Sequence, residues 1–146
     1  MRLNVQTDYA LRLLSHLAAN DDRLVTIAEV AERYRISKNH LMKVAHMLGQ
    51  HDLIETMRGR AGGLRLSKPA RSIGVGEVVR SMENDFALVE CMAPDEGDCL
   101  IRRACRLKGI LQEAADAFLA VLDQYTLDDL VRRNKPLQAL LASEAA

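Results

Sequence analysis

Between Thr7 and His51 the apolar residues recur with helical period in three successive segments, and only Arg35-Ile36-Ser37 separates the second from the third. In the first segment, Thr7 to Ala19, a stripe of Tyr9, Ala10, Leu13, Leu14 and Leu17 marks the buried face, with Thr7 as the expected cap. In the second, Thr26 to Tyr34, Thr26-x-x-Glu29 has the form of a capping box, and Ile27, Val30 and Ala31 face inward. Ser37 caps the third, Lys38 to about His51, with Leu41, Val44, Ala45 and Leu48 inward. Two helices joined by so short a turn after a leading helix describe a helix-turn-helix.

Directly behind it, Leu53-Ile54-Glu55-Thr56 and Leu64-Arg65-Leu66 can form short strands around Arg58-Gly59-Arg60-Ala61-Gly62-Gly63. Glycines there permit a tight or irregular hairpin, and the arginines make it a basic β wing that reaches towards the DNA backbone or minor groove. Ser72 to Glu83 reads as a further helix, and Asp85 to Arg103 as a loop. From Leu107 onward, Leu107, Leu111, Ala114, Phe118, Val121 and Tyr125 alternate spacings of four and three, a heptad seam. Such a seam also suits packing within one chain, but after a complete small domain it supplies a dimer interface. Thr126-x-x-Asp129 opens a last short helix, which Lys135-Pro136 is expected to close.

The expected fold is therefore mostly α. Residues 1–83 form a winged helix-turn-helix DNA-binding domain with a small β wing, 84–106 a cysteine loop, and 107–146 a long dimerisation helix with a C-terminal helix that packs back on the domain.

The chain has 146 residues and formal net charge 0, which taken whole argues against a nucleic-acid partner. The charge is partitioned, however. Residues 1–83 balance at +4 and 84–146 at −4, and residues 33–71 alone carry nine basic and two acidic side chains. That cluster is the electrostatic footprint of a surface that meets phosphates. Five aromatics and no Trp leave little for a base-stacking platform or a carbohydrate site.

A recognition helix offers its N-terminal residues to base edges in the major groove. Asn39, His40 and Lys43 are the candidates for base readout, since Asn pairs in bidentate fashion with adenine and Lys with guanine. Lys38, Arg58, Arg60 and Arg65 are candidates for phosphate or a narrow minor groove. His16, His46 and His51 read as structural or solvent-facing. A two-fold dimer of such domains implies double-stranded DNA with an inverted-repeat operator.

The first segment is amphipathic, with Asp8 and Arg12 inside it, so it reads as a folded helix rather than a signal peptide. No apolar run approaches a membrane span, and an odd number of cysteines within a short stretch suits a reducing compartment, so the expected location is cytoplasmic with no membrane partner. Cys91, Cys99 and Cys105 are separated by seven and five residues, a poor match to the close pairs of structural zinc sites. Three soft thiolates suit an iron-sulfur cluster with one iron left to another ligand, and a cluster-free thiol redox switch is the alternative. No paired histidines or general-base constellation accompanies the cysteines, and no phosphate-cradling glycine loop precedes a helix, which weighs against an enzyme. A purely architectural DNA-binding protein would leave the cysteines without a purpose.

Five runs together resemble a known family. They are Thr7-Asp8-Tyr9-Ala10-Leu11-Arg12, Ser37-Lys38-Asn39-His40-Leu41, Arg58-Gly59-Arg60-Ala61-Gly62-Gly63-Leu64-Arg65-Leu66, the three cysteines, and Leu122-Asp123-Gln124-Tyr125-Thr126-Leu127. In this order they resemble the iron-sulfur winged-helix repressors that include IscR and NsrR, most closely the nitric-oxide-sensing branch. The resemblance implies a homodimeric repressor with a 4Fe-4S cluster, 2Fe-2S being the alternative, that reacts with nitric oxide and releases genes for its detoxification. A regulator sensing iron-sulfur supply or oxidative stress is the nearest other reading. The resemblance further implies that the partner subunit's Asp8 supplies the fourth ligand. From the residues alone Asp8 reads as a first-turn acid favoured by the helix dipole, and Glu90, Glu96 and Asp98 are nearer candidates. IscR-like members carry a histidine three residues after the last cysteine where this chain has Lys108, and the seven-residue gap exceeds the five common in the family.

Overall fold

The computed structural model describes residues 1–94 and 98–142. Helix α1 spans Val5–Ala19, two residues longer at its start than the apolar stripe indicates. Asn4 rather than Thr7 is the cap: its side-chain oxygen accepts from Thr7 N–H at 2.8 Å. Asn4 is held in turn by the end of a later helix, donating from its backbone to Glu83 Oε1 at 2.8 Å and from Nδ2 to the Met82 carbonyl at 3.0 Å. Thr7 is fully buried, and its hydroxyl donates to the same Glu83 oxygen at 2.5 Å.

Helix α2 is Ile27–Tyr34 and α3 is Lys38–Gln50. Thr26 caps α2 and Ser37 caps α3, each through its hydroxyl oxygen, as the sequence suggests. Only half of the expected capping box forms, because Glu29 turns its carboxylate away from Thr26 and towards Arg23 and His16. A charge-assisted pair outweighs one bond to a neutral backbone donor. Arg35 ends α2 in the left-handed conformation at φ 54°, and the turn is closed by Ile36 N–H donating to the Ala31 carbonyl at 3.0 Å. Ile36 drops into the core, which fixes the angle at which α3 leaves.

Strands β1 (Ile54–Met57) and β2 (Gly63–Leu66) pair antiparallel, with Ile54 opposite Leu66 and Met57 opposite Gly63. The connecting loop contains Gly59 at φ 111°, a conformation that L side chains resist. A third extended segment, absent from the sequence reading, joins them: Val25 and Leu64 exchange N–H to carbonyl bonds of 3.0 and 2.7 Å. The wing is thereby tied to the segment that enters α2.

After a 3₁₀ turn at Ala70–Ser72, helix α4 runs Val75–Met82. It starts later than the predicted Ser72 because Ile73 and Gly74 are extended and the backbone of Ile73 and Val75 is bonded to distant chain. Leu127 N–H donates to the Ile73 carbonyl at 3.0 Å, and Val75 N–H to the Tyr125 carbonyl at 2.8 Å. Among its described residues, the cysteine segment is irregular apart from a 3₁₀ turn at Glu90–Met92.

Helix α5 is Leu107–Leu122. Tyr125, the last position of the predicted seam, lies beyond its end. Helix α6, Leu127–Val131, carries the Thr126/Asp129 capping box in full. The chain does not stop there. Asn134 caps a seventh helix, α7 (Lys135–Leu141), with Pro136 in its first turn. Proline lacks the N–H that a first turn leaves unbonded anyway, so Lys135-Pro136 opens a helix instead of closing one.

The core is assembled around α1. Leu13, Leu14 and Leu17 are at most 2% exposed and meet Leu41 and Leu48 of α3, Val78 of α4 and Leu127 of α6 in one cluster. Burying each of these leucines contributes about 1.5–3 kcal/mol. Among the described residues, no helix is long and apolar enough to cross a membrane.

Candidate nucleic-acid interface and cysteine loop

Leu41, Val44, Ala45 and Leu48 anchor α3 in the core, as their spacing predicts, and so determine what its opposite face shows. Asn39 and Lys43 stand exposed on that face, and Met42 and His46 stand exposed beside Asn39 at helical spacings of three and seven. Lys38 is exposed in the first turn. His40 is exposed but sits to one flank, its ring 6.3 Å from that of Tyr9 on α1 and tilted by 36°. The sequence reading did not single out Met42, and it placed His46 with the structural or solvent-facing histidines. The signal for both was their distance of three and seven residues from Asn39.

Arg58 and Arg60 are exposed in the wing loop. Arg65 is different: it lies directly opposite Glu55 in the hairpin, its Nε donates to Glu55 Oε2 at 2.9 Å, and its Nη2 is ion-paired with the same oxygen at 2.8 Å. It presents a neutral pair rather than a bare cation.

Behind this surface a polar cluster joins α1 to α2. His16 is completely buried, with Nε2 3.0 Å from Glu29 Oε1, while Arg23 grips the same carboxylate at 2.5 and 2.9 Å. The Arg23 hydrogen bond, aided by His16, lowers the Glu29 pKa to about 2 against the opposing effect of burial. Burial keeps His16 below the usual histidine range, although Glu29 pulls the other way. A neutral imidazole facing a carboxylate carries its proton on Nε2, which leaves Nδ1 as the bare nitrogen, and Nδ1 has no hydrogen-bond partner among the described residues.

Cys91 lies half-buried in the 3₁₀ turn, Cys99 is exposed, and Cys105 is half-buried two residues before α5. A cavity of 390 Å³ is lined by Cys91 and Cys99 together with Val89, Glu90 and Asp98. Cys105 does not line it, and neither does Asp8. Asp8 is in the first turn of α1, gripped in bidentate fashion by Arg12 at 3.0 and 2.7 Å. Glu96 lies outside the described residues. The donor chemistry suits iron, soft thiols beside hard carboxylates. Among the described residues, however, no three such side chains of one chain converge on a point.

The Rrf2 family model, described as an iron-dependent transcriptional regulator, matches residues 3–133. The chain belongs to the Rrf2 family. Curated relatives agree: this Rrf2 protein is 50% identical to the HTH-type transcriptional regulator NsrR of Shouchella clausii over 142 residues, 97% of this chain and 95% of that one. It is likewise 50% identical to the regulator of the same name from Bacillus subtilis, covering 97% of both chains. Among solved structures, IscR of T. potens superposes with TM-score 0.74 at 22% identity, covering 94% of this chain and 91% of that chain, which establishes the winged-helix fold. The Rrf2 chain is thus a DNA-binding transcriptional regulator and not an enzyme.

Proposed function

We propose that this Rrf2 protein is a homodimeric repressor whose cysteine loop holds an iron-sulfur cluster, 4Fe-4S rather than 2Fe-2S, and reports nitric oxide by releasing DNA. The observation that carries the reading is the cavity lined by Cys91 and Cys99, with Cys105 on the same loop and carboxylates at hand. Cys91, Cys99 and Cys105 would hold the group, and the partner subunit's Asp8 would complete it. When bound, such a group supplies an iron less firmly tied on the carboxylate side and accessible to a diatomic ligand. The three-domain division of the sequence, with residues 1–83 reading DNA and 84–106 sensing, belongs to this proposal.

Asn39, His40 and Lys43 read bases from α3, while Lys38, Arg58, Arg60 and the Glu55-paired Arg65 face the sugar-phosphate backbone. Asp8 precedes Tyr9 on α1, and Tyr9 meets His40. To hold the group Asp8 would have to give up Arg12, and its neighbour Tyr9 would carry that change to the ring of His40. Dimerisation places α5 against α5: of its residues only Ala115 is buried, while Ile110 and Val121 are 60% and 53% exposed.

Anaerobic purification with iron and sulfide analysis, visible absorption and an operator-binding assay tests this reading. The protein is expected to be coloured, to bleach with nitric oxide and to lose DNA in step. A colourless, iron-free anaerobic protein overturns it in favour of the thiol redox switch, for which the shared cavity of Cys91 and Cys99 also speaks. A coloured protein whose DNA binding ignores nitric oxide points instead to sensing of iron-sulfur supply or oxidative stress. Asp8→Ala is expected to destabilise the group and alter its spectrum.

A further inference from the structure

Helix α3 breaks its own amphipathic pattern at one position. Its inward residues Leu41, Val44 and Leu48 are no more than 1% exposed, yet Met42, a large apolar side chain, stands 59% exposed. It is three residues after Asn39 and four before His46, on the face that the fold turns outward. An apolar side chain held in water gains nothing for folding. It gains once a partner covers it.

The surroundings decide which partner. Lys38 and Lys43 flank Met42 on the same helix, and the basic wing follows directly in the chain, so the surface as a whole calls for a polyanion. Within the major groove of DNA nearly every base edge offers a hydrogen-bond donor or acceptor. The exception is the C5 methyl group of thymine. Met42 is the fifth residue of α3, within the half of a recognition helix that reaches base edges. Its unbranched thioether adapts to an irregular apolar surface better than a branched side chain would.

We infer that Met42 is a specificity-determining residue that packs on the C5 methyl group of a thymine in each half-site. The inference rests on the proposed reading of DNA by α3 and adds an apolar readout to the polar one of Asn39, His40 and Lys43. It makes the operator choose thymine over cytosine at a position where no hydrogen bond is made.

The test uses full-length anaerobic protein and duplexes selected with it from a randomised pool. Each thymine of a selected duplex is replaced in turn by deoxyuracil, which keeps every hydrogen bond and removes only the methyl group. Wild type is expected to lose about fourfold in affinity at one symmetric pair of positions, per half-site, the worth of one buried methyl. Met42→Ala is expected to bind the thymine duplex more weakly and to be indifferent to deoxyuracil at those positions, whereas Met42→Leu keeps the sensitivity. Enrichment of duplexes without sensitivity at any thymine, or sensitivity unchanged in Met42→Ala, overturns the assignment while leaving DNA reading by α3 intact. Failure to enrich any duplex overturns both.

Discussion

At the level of single residues, the wing arginines are not equivalent. Arg60 is exposed in the loop, so Arg60→Ala should weaken binding to all DNA sequences alike and reduce the slope of log K against log salt by about one. Arg65 is neutralised by Glu55. Glu55→Ala should therefore tighten binding and steepen the same slope, because it frees a cation where a neutral pair stood. A second residue-level prediction comes from His16. Its pKa is lowered in the fold, so the unfolded chain takes up the proton first: the contribution to stability is present above about pH 6.5 and is lost as pH falls below it. Glu29 adds a further loss as pH falls from 4.5 towards about 2. Urea midpoints at about pH 7.5 and about pH 5.5 should differ less in His16→Leu than in wild type. Sequence reasoning reached the wing arginines through their clustering, but the Arg65–Glu55 pair depends on hairpin register. Likewise the His16–Glu29–Arg23 cluster depends on how α1 and α2 pack, which periodicity does not specify.

Elements set by local signals were legible, and elements set by distant partners were not. The stripes of α1 to α3 and the hydroxyl caps Thr26 and Ser37 act within a few residues, and the structure has them where the sequence put them. The true start of α1 depends on Asn4 being held by Met82 and Glu83, nearly eighty residues away, and no nearby residue signals that. Pro136 was misleading for a different reason: proline is compatible with the first turn of one helix as well as the end of another, and Asn134 settled the matter. The Val25–Leu64 bridge was missed because a single extended residue has no period. It carries its own prediction. A Cβ at Gly63 would lie 2.9 Å from the Val25 carbonyl oxygen, so Gly63→Ala should break the bridge. The expected cost is about 1–3 kcal/mol, with loss of amide-exchange protection at Leu64, read by thermal unfolding and hydrogen exchange.

For the molecule as a whole, the exposed apolar side of α5 is the feature most in need of an explanation. Ile110→Glu combined with Val121→Glu should leave the winged domain folded, because neither residue is buried, yet give a monomer in sedimentation equilibrium with weakened operator binding. The opposite behaviour is expected further along the chain. Leu127 is completely buried in the core around α1, and Leu127→Ala should cost about 2–5 kcal/mol in denaturant unfolding. Seen from the ribosome, that plug has a consequence of its own. Helices α1 to α4 and the wing emerge first, but the hydrophobic centre they enclose stays open until residue 127 has been synthesised, after the whole cysteine loop. A prematurely terminated polypeptide ending near residue 83 therefore lacks the piece that completes its core.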